Sequence, residues 1–314
     1  MKHATGVDGY NLIFNFMEGK KNKNYLNSLE KNIFAEKWLE IEKDNNPPKK
    51  YGKVKIVEYE EFSKKIIKQD VNFVKDIIRS FYSGDFYIVK NVLSKNEVDY
   101  IINETFNYNQ STPSSFFKMI EGVPNFHRWI DKSLESKYTI KYSKHSTYLF
   151  NWNKDIGKIR EIIQNACRPF KLLSGLSLTQ FERNTPKEKI VERLQIARYP
   201  PQGFIEPHTD AHTLLRLVIS GYLSRRGESY KEGGFYLCNN DGSEKDVESL
   251  IESGDVGLFY ASLRHGMRTI DPNKEPDIKK KDGRWWYGLN VHHSDHVDNT
   301  LRHTTKPVFR NLRK

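Results

Sequence analysis

From Leu194 onward the chain is written in short apolar runs closed off by turn residues, and this rhythm restricts its fold more than any other feature. The runs are 194–199, 214–222, 234–238, 256–260 and 285–292, separated by Gly, Pro, Asn and Asp. Several short strands at such spacing build an antiparallel sandwich or jelly roll. Upstream the period changes to that of helices. Leu26, Leu29, Ile33, Trp38 and Ile41 predict a helix over 24–44, ended at Asn45-Asn46-Pro47-Pro48, because proline lacks a donor and disfavours helix before it. Val74, Ile77, Ile78 and Phe81 place a second helix within 59–82, and a short strand over 86–89 follows the Ser83-Gly84-Asp85 turn. Ser94-Lys95-Asn96-Glu97 has capping-box spacing and opens a helix reaching about Phe106. Ile159, Ile162, Ile163 and Ala166 mark another over 156–170. Residues 1–20 read as an irregular arm, and 109–155 are aromatic without a clear period. The expectation is an α+β chain whose N-terminal helices brace a C-terminal β core.

Composition narrows the function classes. Of 314 residues, 37% are hydrophobic, 13% aromatic and 29% charged, which suits a folded chain with an aromatic-rich core rather than a disordered one. No apolar run approaches the roughly 20 residues that cross a bilayer, so no membrane association is expected. The start, MKHATGVDGYNLIF, lacks the apolar stretch of about 7–15 residues of a secretory signal. Cys167 and Cys238 are the only cysteines, too few for a disulfide scaffold or a four-cysteine zinc site; they read as reduced thiols of a cytoplasmic protein. The net charge is +11. A basic face for nucleic acid and a Lys-rich solvated surface both explain it, but the lysine clusters at 20–23, 49–53 and 279–281 are short and adjoin loop residues. A small anionic substrate would profit from the same field. No G-x-S-x-G elbow, P-loop or G-x-G-x-x-G after a strand is present, which disfavours Ser/His/Asp hydrolases and nucleotide folds.

The chemistry concentrates in His208-Thr209-Asp210. On an extended strand residues i and i+2 share a face, so His208 and Asp210 can reach one metal ion together. A surface turn or a local hydrogen bond yields the same tripeptide. His265 is the best third ligand, 55 positions beyond Asp210 and just after Gly254-Asp255 and the run 256–260. Two imidazoles and a carboxylate on one face form the facial triad of non-haem Fe(II) oxygenases, with open positions for other ligands. Gly283-Arg284 then opens the last apolar run. A buried arginine requires an anion, and its fork fits a carboxylate.

More of a pattern stands in order: Tyr199 and Gly203 before His208-Thr209-Asp210, then Tyr222-Leu223, Glu232-Gly233-Gly234, Gly254-Asp255 with Phe259, His265, and Gly283-Arg284. With these residues the segment 194–292 resembles the Fe(II)/2-oxoglutarate-dependent oxygenases, most of all their prolyl-4-hydroxylase-like branch. The piece 86–106 is similar to the strand and helix that open that core; together the matching pieces cover less than half of the chain. The resemblance implies a double-stranded β-helix (jelly roll, cupin-like) over 86–314, with 1–85 as a helical extension packed on it in one compact unit. It implies Fe(II) on His208, Asp210 and His265, and 2-oxoglutarate held by Arg284 and Tyr199. O2 would be the oxidant, ascorbate a supporting reductant, and hydroxylation with release of succinate and CO2 the outcome. Asp210 argues against the halogenase variant, which replaces that carboxylate.

Two departures stand out. Eighteen residues separate His265 from Arg284, more than the family's interval, so 274–282 reads as an inserted loop and Arg268 becomes a rival clamp. Trp286 occupies a place where the family often has a small hydroxyl residue. Trp286, Asn290 and His292 share Arg284's face of the strand, and Gln195 shares that of Tyr199; with His212 and Arg216 they are candidate substrate residues. For each the plainer alternative is core packing, a solvated loop or, for Arg216, a structural ion pair. His292-His293-x-x-His296 has ligand-compatible spacing but no carboxylate or cysteine beside it. The aromatic blocks at 126–129 and 148–152 suit a substrate lid, a homodimer face or ordinary packing. The reading favoured is an oxygenase hydroxylating a small polar metabolite such as an amino acid. Its rivals are a jelly-roll binding module with a structural metal, and an oxygenase acting on protein or nucleic acid.

Overall fold

A computed structural model describes residues 32–131, 141–142, 144–211, 214–297 and 306–307. The first described helix, α1 (Ile33–Ile41), is capped by Asn32, whose side chain accepts from the Ala35 amide; the earlier part of the expected helix lies outside the described residues. The helix expected within 59–82 is two, α2 (Tyr59–Lys68) and α3 (Val71–Tyr82). Gln69 turns to φ 52 and Asp70 accepts from the Asn72 and Phe73 amides, so a fresh N-cap starts α3. The capping box at Ser94 forms as read and opens α4 (Lys95–Ser111). Helix α5 is Ile159–Leu173. Among the described residues no helix is long and apolar enough to cross a membrane.

The strands are β1 (Val54–Glu58), β2 (Phe86–Lys90), β3 (Phe126–Ile130), β4 (Lys141–Tyr142), β5 (Lys144–Phe150), β6 (Ile190–Tyr199), β7 (Phe204–Thr209), β8 (Leu217–Tyr222), β9 (Gly234–Cys238), β10 (Glu244–Asp246), β11 (Val256–Tyr260), β12 (His265–Arg268), β13 (Arg284–His293) and β14 (Lys306–Pro307). One sheet runs β1-β2-β11-β8-β13-β6-β5-β3 and the other β10-β9-β12-β7-β14, with β4 also on β7. From β6 to β13 the chain keeps crossing between the two sheets, and only β9 and β10 follow one another within one. That is a double-stranded β-helix, as expected. The boundary at 85/86 falls between strands that pair: β1 lies parallel to β2, with Val54 opposite Phe86. The N-terminal extension therefore adds a strand to the large sheet as well as helices. The segment without a period supplies β3 and β5 on the opposite edge.

Alternation along the strands divides the interior in two. Leu194, Ile196, Leu217, Ile219, Leu258, Tyr287 and Leu289 face the helices and join Trp38, Phe81, Ile163 and Phe170 in the largest apolar cluster. The opposite face, with Phe86, Tyr222, Phe235 and Phe259, fills the space between the sheets. The aromatic blocks pack locally: Phe126, Phe150 and Val123 are buried together with Tyr148 and Trp152 against them.

Candidate metal centre

Strands β7 and β12 bring the candidate ligands together. His208 and His265 are direct partners across this antiparallel pair, where opposed side chains stand about 5 Å apart. Their ring centroids are 4.4 Å apart. Asp210 lies just past the end of β7, fixed by its amide donating to the Ala261 carbonyl at 2.9 Å. Its carboxylate oxygens are 3.9 Å from His208 Nε2 and 3.6 Å from His265 Nε2. Each imidazole has its other nitrogen on a carbonyl: His208 Nδ1 donates to Glu206 O at 2.8 Å and His265 Nδ1 to Leu263 O at 2.9 Å. These bonds set the tautomer and leave both Nε2 lone pairs facing Asp210, the arrangement metal-ligating histidines need. Burial first, then His265 and, more weakly, Lys144 push the His208 pKa down to about 4, so its ring is neutral and ready to donate. The three offer donor atoms within 4.8 Å of one another, and no other such group occurs among the described residues. Two imidazoles and one carboxylate suit a divalent transition ion with open positions. The His292-His293-x-x-His296 cluster does not assemble.

The triad floors a cavity of about 300 Å3 between the sheets. Of the residues foreseen, Tyr199, Gln195, Trp286, Asn290 and His292 line it. Trp286 Nε1 donates to Ser220 Oγ at 2.6 Å, and its ring lies over Gly288, where a Cβ would come within 2.4 Å of Trp286 Cη2. The indole is thus a wall of the cavity. Arg193 and Lys144, not foreseen, line it too. Arg193 Nη2 donates to His292 Nε2 at 2.9 Å, while its Nε has no hydrogen-bond partner among the described residues. Burial, and then Arg193, hold the His292 pKa well below its ordinary value. Arg193 precedes Gln195 by two on β6, so strand alternation held a signal for it. Lys144 lay in the aperiodic segment and had none.

Three arginines fall elsewhere. Arg216 points to the helical side, where its Nε meets both Glu42 oxygens at 2.9 Å; the structural ion pair replaces its candidate substrate role. Arg268 is exposed, paired with Glu244 at 2.6 Å, because on β12 it alternates with Met267, which faces the cavity. It is no clamp. Arg284 is buried but does not line the cavity. Its Nε donates to Glu248 Oε1 at 2.8 Å, and the Tyr230 hydroxyl donates to the same oxygen. Burial opposes the Arg284 charge, and Glu248 with Tyr230 reverses this and raises its pKa. Among the described residues its Nη2 and the Tyr222 hydroxyl have no hydrogen-bond partner. His212 lies outside the described residues.

No family model matches the sequence, and no curated protein does. Solved structures do match. A prolyl-4-hydroxylase from Pseudomonas putida is 13% identical, with 67% of this chain and 91% of that one covered and a TM-score of 0.41. A prolyl hydroxylase from Trichoplax adhaerens, solved with a hypoxia inducible factor peptide fragment, is 12% identical over 76% of this chain and 91% of that one, TM-score 0.42. A 2OG-Fe(II) oxygenase family oxidoreductase from Burkholderia pseudomallei is 12% identical over 75% and 92%, TM-score 0.41.

Proposed function

We propose that this chain is an Fe(II)- and 2-oxoglutarate-dependent oxygenase that hydroxylates an unactivated C–H of a small polar metabolite. One observation carries the reading: His208 Nε2, His265 Nε2 and the Asp210 carboxylate converge at the floor of a cavity. When bound, the ferrous ion supplies O2 activation coupled to conversion of the keto-diacid to succinate and CO2.

The chain's own residues do the rest. The Glu206 and Leu263 carbonyls orient the imidazoles. Phe235, Phe259 and Trp286 line the site with apolar surface that limits water. Its size, about 300 Å3, is at the lower end for ligand pockets and favours a metabolite over a polymer. At the Arg193 and His292 end a guanidinium faces the cavity, and Asp210 is the one carboxylate among the described lining residues. A substrate carrying an acid group, such as an amino acid, meets that guanidinium bidentately.

The test supplies Fe(II), ascorbate and 2-oxoglutarate. Wild-type protein is expected to release succinate slowly without substrate, and His208→Ala to fall to background. A metabolite panel then seeks a product heavier by one oxygen. Wild-type protein that binds iron yet releases no succinate under any of these conditions would instead establish a jelly-roll module with a structural metal.

A further inference from the structure

Arg284 already has its counter-charge. The Glu248 carboxylate is almost fully buried and held from three sides, by Arg284 Nε at 2.8 Å, by the Tyr230 hydroxyl, and by the Phe235 amide at 2.6 Å. The backbone is cleared for it: a Cβ on Gly234, at φ 117, would lie 2.3 Å from Glu248 Cγ. A second carboxylate brought to this guanidinium would stand beside the first in a space without water, where like charges oppose each other strongly. Moving Glu248 aside would orphan the Phe235 amide and the Tyr230 hydroxyl.

The cavity has its own cation at the same depth. Arg284 pairs with Tyr199 across β13 and β6. On the far side of β6, the Lys144 ammonium of β5 sits 5.0 Å from the Tyr199 ring and 5.8 Å from that of Trp286. Lys144 is 5% exposed and lines the cavity with the metal-site residues. The other cavity cation, Arg193, stands opposite Asn290, six positions along β6 from Tyr199. An ammonium needs no fork geometry to take a carboxylate. We propose that Lys144, rather than Arg284, receives the distal carboxylate of 2-oxoglutarate; this rests on the oxygenase reading above. The rival is the spare Nη2 of Arg284, together with the Tyr222 hydroxyl.

Calorimetry on full-length protein loaded with Mn(II) separates the two without turnover. The probes are 2-oxoglutarate and 2-oxopentanoate, which has the same chain length and no distal carboxylate. Wild type is expected to prefer 2-oxoglutarate by tenfold or more. Lys144→Met should abolish the preference, leaving the affinities for 2-oxopentanoate and Mn(II) unchanged, and Lys144→Arg should restore most of it. Arg284→Lys, which preserves the charge opposite Glu248, should keep the preference, as should Arg284→Met/Glu248→Met. Preference retained in Lys144→Met, or lost in Arg284→Lys with Mn(II) binding intact, overturns the proposal and leaves the oxygenase reading standing. Wild-type protein that binds Mn(II) but neither keto acid removes both.

Discussion

Arg284 and Glu248 share a site from which water is excluded, and each makes the other tolerable. Their side chains are 3% and 1% exposed. Removing one leaves an uncompensated buried charge, which costs on the order of 3–5 kcal/mol, while replacing both with apolar groups is often neutral. Glu248→Met is therefore expected to lower the urea-unfolding free energy by about that amount, and Arg284→Met/Glu248→Met to recover most of it. A single variant as stable as wild type would show that the pair contributes nothing. The spacing of Gly283-Arg284 indicated that an arginine would be buried here. It held no information on which anion would meet it, because Glu248 lies 36 positions away, with β11 and β12 between them.

Strands β3 and β5 are joined through a buried histidine pair. His145 Nε2 and His127 Nδ1 are 2.8 Å apart, and His127 Nε2 lies 2.8 Å from the Thr112 carbonyl. Burial above all, then His127 and Arg198, push the His145 pKa down to about 3. An unfolded chain takes up this proton near the ordinary 6.5. Between those values the unfolded state binds more protons than the folded one, so stability rises with pH across the window and is lost as pH falls. His145→Gln, whatever it costs at neutral pH, should make the stability profile shallower between pH 6.5 and about 3, measured as urea midpoints along a pH series. An unchanged slope would show that His145 is not held neutral. The strands most easily read from sequence were those with continuous apolar runs: 234–238 and 256–260 match β9 and β11 residue for residue. β7 and β12 escaped that reading because Glu206, His208 and Arg268 interrupt their apolar character. Of these, His208 belongs to the site.

Over the whole molecule the helices are tied to the barrel by ion pairs as well as apolar packing. Arg216, at the entry to β8, holds Glu42 at the end of α1, and the Tyr260 hydroxyl donates to the same carboxylate at 2.8 Å. Without Arg216 the Glu42 charge stays largely buried with one hydroxyl for company, a loss of about 3 kcal/mol. Arg216→Leu is expected to raise hydrogen exchange in residues 33–41 while β13 stays protected. Uniform loss of protection, or none, would mean that α1 is not docked through this contact. The +11 charge finds a local use at this scale. Among the described residues Lys144 and Arg193 put two cations into a cavity whose one carboxylate is Asp210 of the candidate metal site, and such an interior attracts anions.

The sequence by itself determined the alternation of short strands, the order of the motifs and the choice of three candidate metal ligands, because each is a local pattern or a set of residue types with few other uses. His208 and Asp210 share a face by strand geometry alone. Tertiary structure decided what those patterns could not contain: that His265 sits directly across from His208, that Arg284 closes on Glu248, and that Lys144, from a segment with no period, reaches the cavity beside Tyr199. Each of these depends on which strands become neighbours. Pairing between distant strands is set by closure of the barrel as a whole, so the charges that meet inside it are known only once it has closed.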